Sequence, residues 1–225
     1  MKTNKKELTV FALCAYAIPF LMMPLLYICL HNGQDTSIFA NAQMFYPAAG
    51  VMLAFLPAKR QDIPKRFYIL HLLATAIMLI MSVLSAVMPQ APWLGIANFV
   101  IIIASVLGWI FLLTEKKEKR EAYGLRLHGK LITALGICVY FLAVKTGMVF
   151  LSMAMQGGDS WAEYLAYWRT AAPWVIAVAL IPNFFLSFLP FFGEEYGWRY
   201  YLTPALQSRF GARRGALAVG VLWGL

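Results

Sequence analysis

Seven apolar segments partition the sequence, at approximately 8–30, 42–56, 67–88, 93–113, 131–153, 173–192 and 215–225. A hydrocarbon layer about 30 Å thick needs roughly 20 residues of helix to cross it. Most of the segments reach or approach that length; the second is short, and the seventh is cut off at Leu225. The chain is 61% hydrophobic and 13% charged, against roughly 45–50% and about 25% in soluble domains. That is more apolar surface than a soluble core of this length can bury. The expected fold class is all-α: a polytopic transmembrane helix bundle with six full spans and a truncated seventh.

The first segment follows Lys2, Lys5 and Lys6. A signal peptide carries a shorter apolar core, about 7–15 residues, and a small-residue cleavage site. This segment is too long and no A-x-A follows it, so it reads as a first span. The loops then alternate. Residues 31–41 hold no Lys or Arg, the next loop carries Lys59, Arg60, Lys65 and Arg66, and residues 89–92 again hold none. Lys116, Lys117, Lys119, Arg120, Arg126 and Lys130 follow the fourth segment, Arg169 stands alone after the fifth, and Arg199, Arg209, Arg213 and Arg214 follow the sixth.

Alternation at every crossing predicts a multi-pass protein of the cell membrane with a cytoplasmic N-terminus. The net charge of +9 belongs to loops rather than to one basic face, so the bilayer is the expected partner and nucleic acid is not. Cys14, Cys29 and Cys138 all fall inside apolar segments; their odd number points to packing rather than disulfides.

Between the fifth and sixth segments, "GGDSWAEYLAYWR" offers Ser160 as an N-cap with Glu163 three residues on, the spacing of a capping box. Trp161, Tyr164 and Trp168 share one helical face, which predicts a short interfacial helix serving as an anchor or a substrate gate. Lys145 lies near the middle of the fifth span and is expected to face the bundle interior or a watery cavity, or to snorkel. Pro182, Asn183 and Pro190 can loosen the sixth helix. Pro204 is expected to end it near Thr203. Gly193-x-x-x-Gly197, Gly211-x-x-x-Gly215 and Gly220-x-x-x-Gly224 are spacings suited to close helix contact.

The segment "FFGEEYGWRY", 191–200, places charge at the end of an apolar run. On one helix Glu195 and Arg199 are i and i+4, the favourable orientation for an ion pair. Glu194 points about 100° away and shares its face with Trp198. Partial desolvation and a neighbouring like charge raise a carboxyl's pKa, which suits a general base. The alternative is that both carboxylates face water and Arg199 is a snorkelling anchor.

The residues Glu194, Glu195, Gly197, Trp198, Arg199, Tyr201, Leu202 and Pro204 match E-E-x-G-W-R-G-Y-L-x-P. This stretch resembles the CPBP family, the CAAX protease and bacteriocin-processing family of intramembrane glutamic endopeptidases. Tyr200 stands where that pattern has glycine. The resemblance covers roughly the last forty residues; upstream, only the multi-span character agrees. It implies that Glu194 activates water for attack on a peptide bond near the cytoplasmic membrane face, with Glu195 and Arg199 as a supporting pair. The substrate would be a peptide or membrane protein.

Trp223, Gly224 and Leu225 look like the start of the family's second motif, F-G-L-x-H, whose histidine would fall two positions further on. By this resemblance residues 1–172 are N-terminal spans one to five with basic loops, and 173–225 begin the protease core. Residues 1–225 alone are expected to show little or no peptidase activity. Of His31, His71 and His128, His71 lies at a depth similar to Glu194, as a span-end residue or a substitute ligand. No cofactor is expected, with a divalent metal such as zinc as the alternative: zinc takes three or more protein ligands, and the sequence does not supply them. A different class of function is also compatible, a non-catalytic membrane protein for bacteriocin self-immunity or scaffolding.

Overall fold

In the computed structural model, residues 4–57, 62–126, 129, 131–156, 159–170 and 172–224 are described. Every regular element among them is a helix. Five stretches are long and apolar enough to cross a membrane: Lys5–His31, Ser37–Phe55, Lys65–Val87, Trp93–Thr114 and Leu135–Met155. The chain is an all-helical membrane protein.

The first stretch joins α1 (Lys5–Ala12), a π-helical turn (Leu13–Ala17) and α2 (Ile18–His31). Asn4 caps it, accepting the Lys6 N–H at 3.2 Å. The second stretch joins α3 (Ser37–Gln43) and α4 (Tyr46–Phe55), and so begins at Ser37 rather than at 42. The next two are α5 (Lys65–Val87) and α6 (Trp93–Thr114), followed by the short α7 (Lys117–Ala122). Hydroxyls inside α5 bond back to their own helix, Thr75 to the His71 carbonyl at 2.7 Å and Ser82 to Met78 at 2.9 Å. Such bonding lets polar residues sit among apolar ones without an unmet donor.

Two compact units emerge, Met1–Leu125 with Phe185–Leu225, and Arg126–Phe184. In the second, α8 (Leu131–Gln156) holds the fifth apolar stretch, and Lys145 is exposed on it. α9 (Asp159–Trp168) is the expected short helix; it starts at Asp159, so Ser160 lies in its first turn rather than capping it. Its aromatic face is formed, with the Trp161 ring stacked on Phe150 at 5.5 Å and Tyr164 against Trp168 at 5.9 Å.

The sixth helix, which Pro182, Asn183 and Pro190 were expected to loosen, is interrupted. α10 (Ala172–Leu186) stops, Ser187 leaves helical geometry at φ −111° and ψ 23°, and α11 (Phe188–Glu195) begins anew. Pro190 is the cause: it has no N–H for the carbonyl four residues back, and its ring would strike that carbonyl. Placed in the first turn of a new helix, the same proline costs nothing. α6 satisfies both sides of the break. The Trp109 indole N–H donates to the Phe185 carbonyl at 3.0 Å, and the Ser105 hydroxyl accepts the Leu189 N–H at 3.1 Å.

A π-helical segment (Tyr196–Leu202) and α12 (Thr203–Phe210) continue α11 without a gap. The stop expected at Pro204 does not occur: Leu202 and Thr203 keep helical angles, and the chain turns only at Gly211, φ 81°. Thr203 gives both its backbone N–H and its hydroxyl, at 2.8 Å, to the Trp198 carbonyl. The wider π turn thus takes up the hydrogen-bond shift that proline imposes. α13 (Ala212–Trp223) then folds back along α12, with the Gly215 backbone against Gln207.

Two glycines set how closely this helix approaches α3 and α4. A methyl group on Gly193 would overlap the Met44 carbonyl oxygen, and one on Gly197 would overlap Pro47. Gly220 meets nothing within 4 Å, so the third glycine spacing is not a contact. Gly193→Ala and Gly197→Ala are each expected to destabilise the protein by about 1–3 kcal/mol. Gly220→Ala, at an exposed helical position, should instead be neutral or stabilising by up to about 1 kcal/mol. Thermal unfolding in detergent measures all three; equal midpoints would contradict the contact.

Candidate functional site at the acidic helix

Once Gly193 and Gly197 face α3 and α4, helical geometry assigns the remaining faces of residues 188–202. Phe192, Tyr196 and Tyr200 form one stripe, their rings stacked at 4.9 and 4.6 Å with interplanar angles of 23° and 11°. The stripe lies on the first turns of α5. Phe192 meets Phe67 edge-on at 4.9 Å and His71 at 5.9 Å, and the hydroxyls of Tyr196 and Tyr68 share a hydrogen bond at 2.5 Å. Tyr200, the departure from the expected glycine, covers Gly124, whose φ of +71° brings bare backbone under the ring. Trp198 and Tyr201 are buried on α1, with ring centroids 5.5 and 5.2 Å from Phe11.

The three expected site residues fall on two different surfaces. Glu195 and Arg199 form the anticipated i, i+4 ion pair, Oε2 to Nε at 2.7 Å, with side chains 52% and 69% exposed. At that exposure the pair is worth about 0.2–1 kcal/mol. Glu194 is half-buried, and among the described residues it has no hydrogen-bond or ion-pair partner. Burial pushes its carboxyl above the ordinary glutamate range, and the Glu195 charge raises it further. The two carboxylates are therefore electrostatically unequal despite being adjacent.

Two cavities adjoin this helix. One, about 390 Å³, lies between the π segment and α13, lined by Glu195, Arg199, Trp198, Thr203, Val219 and Trp223 among others. The other, about 120 Å³, is bounded by Tyr16, Met23, Gln43, Tyr46, Trp198 and Leu222 among others. Glu194 lines neither of them. Tyr16, in the π turn of the first stretch, donates its hydroxyl to the Leu222 carbonyl at 2.9 Å and packs on Trp198 at 5.6 Å.

His71 is fully buried, with Nε2 at 3.1 Å from the Phe45 carbonyl oxygen and Nδ1 without a partner among the described residues. Its ring lies between Phe45 and Phe192, which gives it a packing role. His31 is stacked on Tyr27 at the end of α2. His128 lies outside the described residues. Among the described residues no three His, Cys, Asp or Glu side chains gather as a metal site requires.

Tyr68, Tyr16 and Ser105 were not singled out from the sequence. The Phe192, Tyr196, Tyr200 spacing was the available signal for the first, since residues four apart share one helical face.

The raised carboxyl carries a sign. Well above its folded pKa, Glu194 is ionised in both folded and unfolded chains, and the native state bears the desolvation cost. As pH falls through the folded value, the native state takes up the proton first, and stability rises until the unfolded carboxyl is also protonated. Glu194→Gln is therefore expected to melt above wild type at neutral pH, with the difference closing towards pH 4.5, the ordinary glutamate value. Thermal midpoints across that range test it; a variant less stable at neutral pH would refute it. No protein-family model, curated protein or solved structure matches this chain.

Proposed function

We propose that the acidic helix belongs to an intramembrane endopeptidase of the CPBP type, with Glu194 as general base. The observation that carries this reading is the inequality of the carboxylates: Glu195 is tied to Arg199, while Glu194 is half-buried, without a partner among the described residues, and raised in pKa. A base of that kind takes a proton from water as the water oxygen bonds to the peptide carbonyl carbon. It returns the proton to the leaving amine as the C–N bond breaks. Glu195 and Arg199 hold each other on the adjacent face and act as a positioning pair. In the resembled family, histidines on later helices complete the site. A sixth crossing over 173–192, a cytoplasmic N-terminus and residence in the cell membrane belong to the same reading. So does a peptide or membrane-protein substrate.

A second reading is favoured by the 390 Å³ cavity beside the ion pair, whose wall is completed by Trp198, Ala216, Val219 and Trp223. Such a wall suits binding of an apolar segment, as in a self-immunity factor or scaffold. The full gene product, expressed as wild type, Glu194→Gln and Glu195→Gln, separates the two when new protein N-termini in the membranes are quantified. Peptidase action predicts that Glu194→Gln loses about 10²–10⁴-fold of the cleavage, with Glu195→Gln losing less. Identical N-terminal profiles for all three would remove the catalytic reading and leave the binding one.

A further inference from the structure

Four cations surround one cavity at the opposite end of the α5–α6 pair from the 89–92 turn. Lys65 and Arg66, in the first turn of α5, face Lys116 and Lys119, which follow α6, around a volume of about 570 Å³. Like charges gathered this way repel unless acids or a bound anion offset them. Two acids share the lining, Asp62 and Glu115. Among the described residues none of the four cations makes an ion pair with either. Glu115 instead accepts the backbone N–H of Lys116 at 3.2 Å. The Thr114 hydroxyl is turned back to the Ile110 carbonyl at 2.7 Å. The cavity therefore keeps an unmatched positive charge.

Position identifies the anion's source. α5 and α6 are both among the apolar membrane-length stretches, so their basic ends mark the level at which hydrocarbon gives way to headgroups. Within two turns of the cavity the surface is apolar and exposed: Ile69 51%, Leu73 58% and Leu113 65%. A free phosphate would use the cations alone; a lipid would use the cations for its headgroup and this surface for its chains. The first turn of α5 also has no side-chain cap, and an uncapped helix N-terminus favours an anion.

We infer that this cavity is a binding site for the phosphate of an anionic phospholipid. Basic pockets between membrane helices take such headgroups by direct charge pairing. Neither the acidic helix nor any of Glu194, Glu195 and Arg199 takes part, so the site is independent of the peptidase reading.

The test is native mass spectrometry of the purified protein equilibrated with mixed phosphatidylcholine–phosphatidylglycerol vesicles. Wild type should retain phosphatidylglycerol selectively, and excess inorganic phosphate should not displace it. The pairs Lys65→Gln/Arg66→Gln and Lys116→Gln/Lys119→Gln should each lower that affinity about tenfold or more. Arg213→Gln/Arg214→Gln, an exposed basic pair elsewhere, should leave it unchanged. Should a cavity variant fail to fold, the wild-type thermal midpoint must still rise with phosphatidylglycerol content. Equal retention of both lipids, an equal loss in the Arg213/Arg214 control, displacement by phosphate, or a flat thermal midpoint would each overturn the assignment.

Discussion

The approach of Gly193 and Gly197 to the backbone of Met44 and Pro47 is the contact on which the arrangement of the acidic helix depends. Helices inside a membrane gain little from the hydrophobic effect, so close van der Waals contact must supply what burial supplies in water. Two glycines four residues apart remove the side chains that would hold the axes apart. With that face committed, the others have no freedom. The aromatic stripe meets α5, Trp198 meets α1, and Glu195 with Arg199 is turned outward. The environment of each charged group follows from a packing decision made by residues with no side chain.

The helix reaches that contact because it is free at both ends of normal α-helical register. Pro190 separates it from α10, and α6 supplies the donor and acceptor that the break would otherwise strand. The π segment shifts register again before Pro204. Glu194 sits between the two irregularities, one residue before the π segment's flanking Glu195. The consequence is electrostatic: one carboxylate keeps solvent and a guanidinium, and the other gives up part of its solvent and gains no partner among the described residues.

Much of the bundle was legible because hydropathy and length are local properties. The long apolar stretches stand out from composition alone, and the Glu195–Arg199 pair followed from spacing. The interruption at Ser187 was legible as a loosening around Pro190, but its position was not, because it depends on the donor and acceptor that Trp109 and Ser105 of α6 supply. The passage of the helix through Pro204 was misread because a π turn depends on what Thr203 can offer the Trp198 carbonyl, a contact that no propensity encodes. The partition of glycines was similarly hidden. Gly193 and Gly220 open identical spacings, and only the neighbouring chain decides that one is a contact and the other is bare.

The bond from Tyr16 to the Leu222 carbonyl joins residues separated by 206 positions. During biosynthesis the first span enters the bilayer long before α13 exists, so its phenol must wait among lipids or borrow a transient acceptor. Closure of this contact is accordingly withheld until α13 has been delivered. A ribosome stalled before that point would leave the first helix with its clasp open.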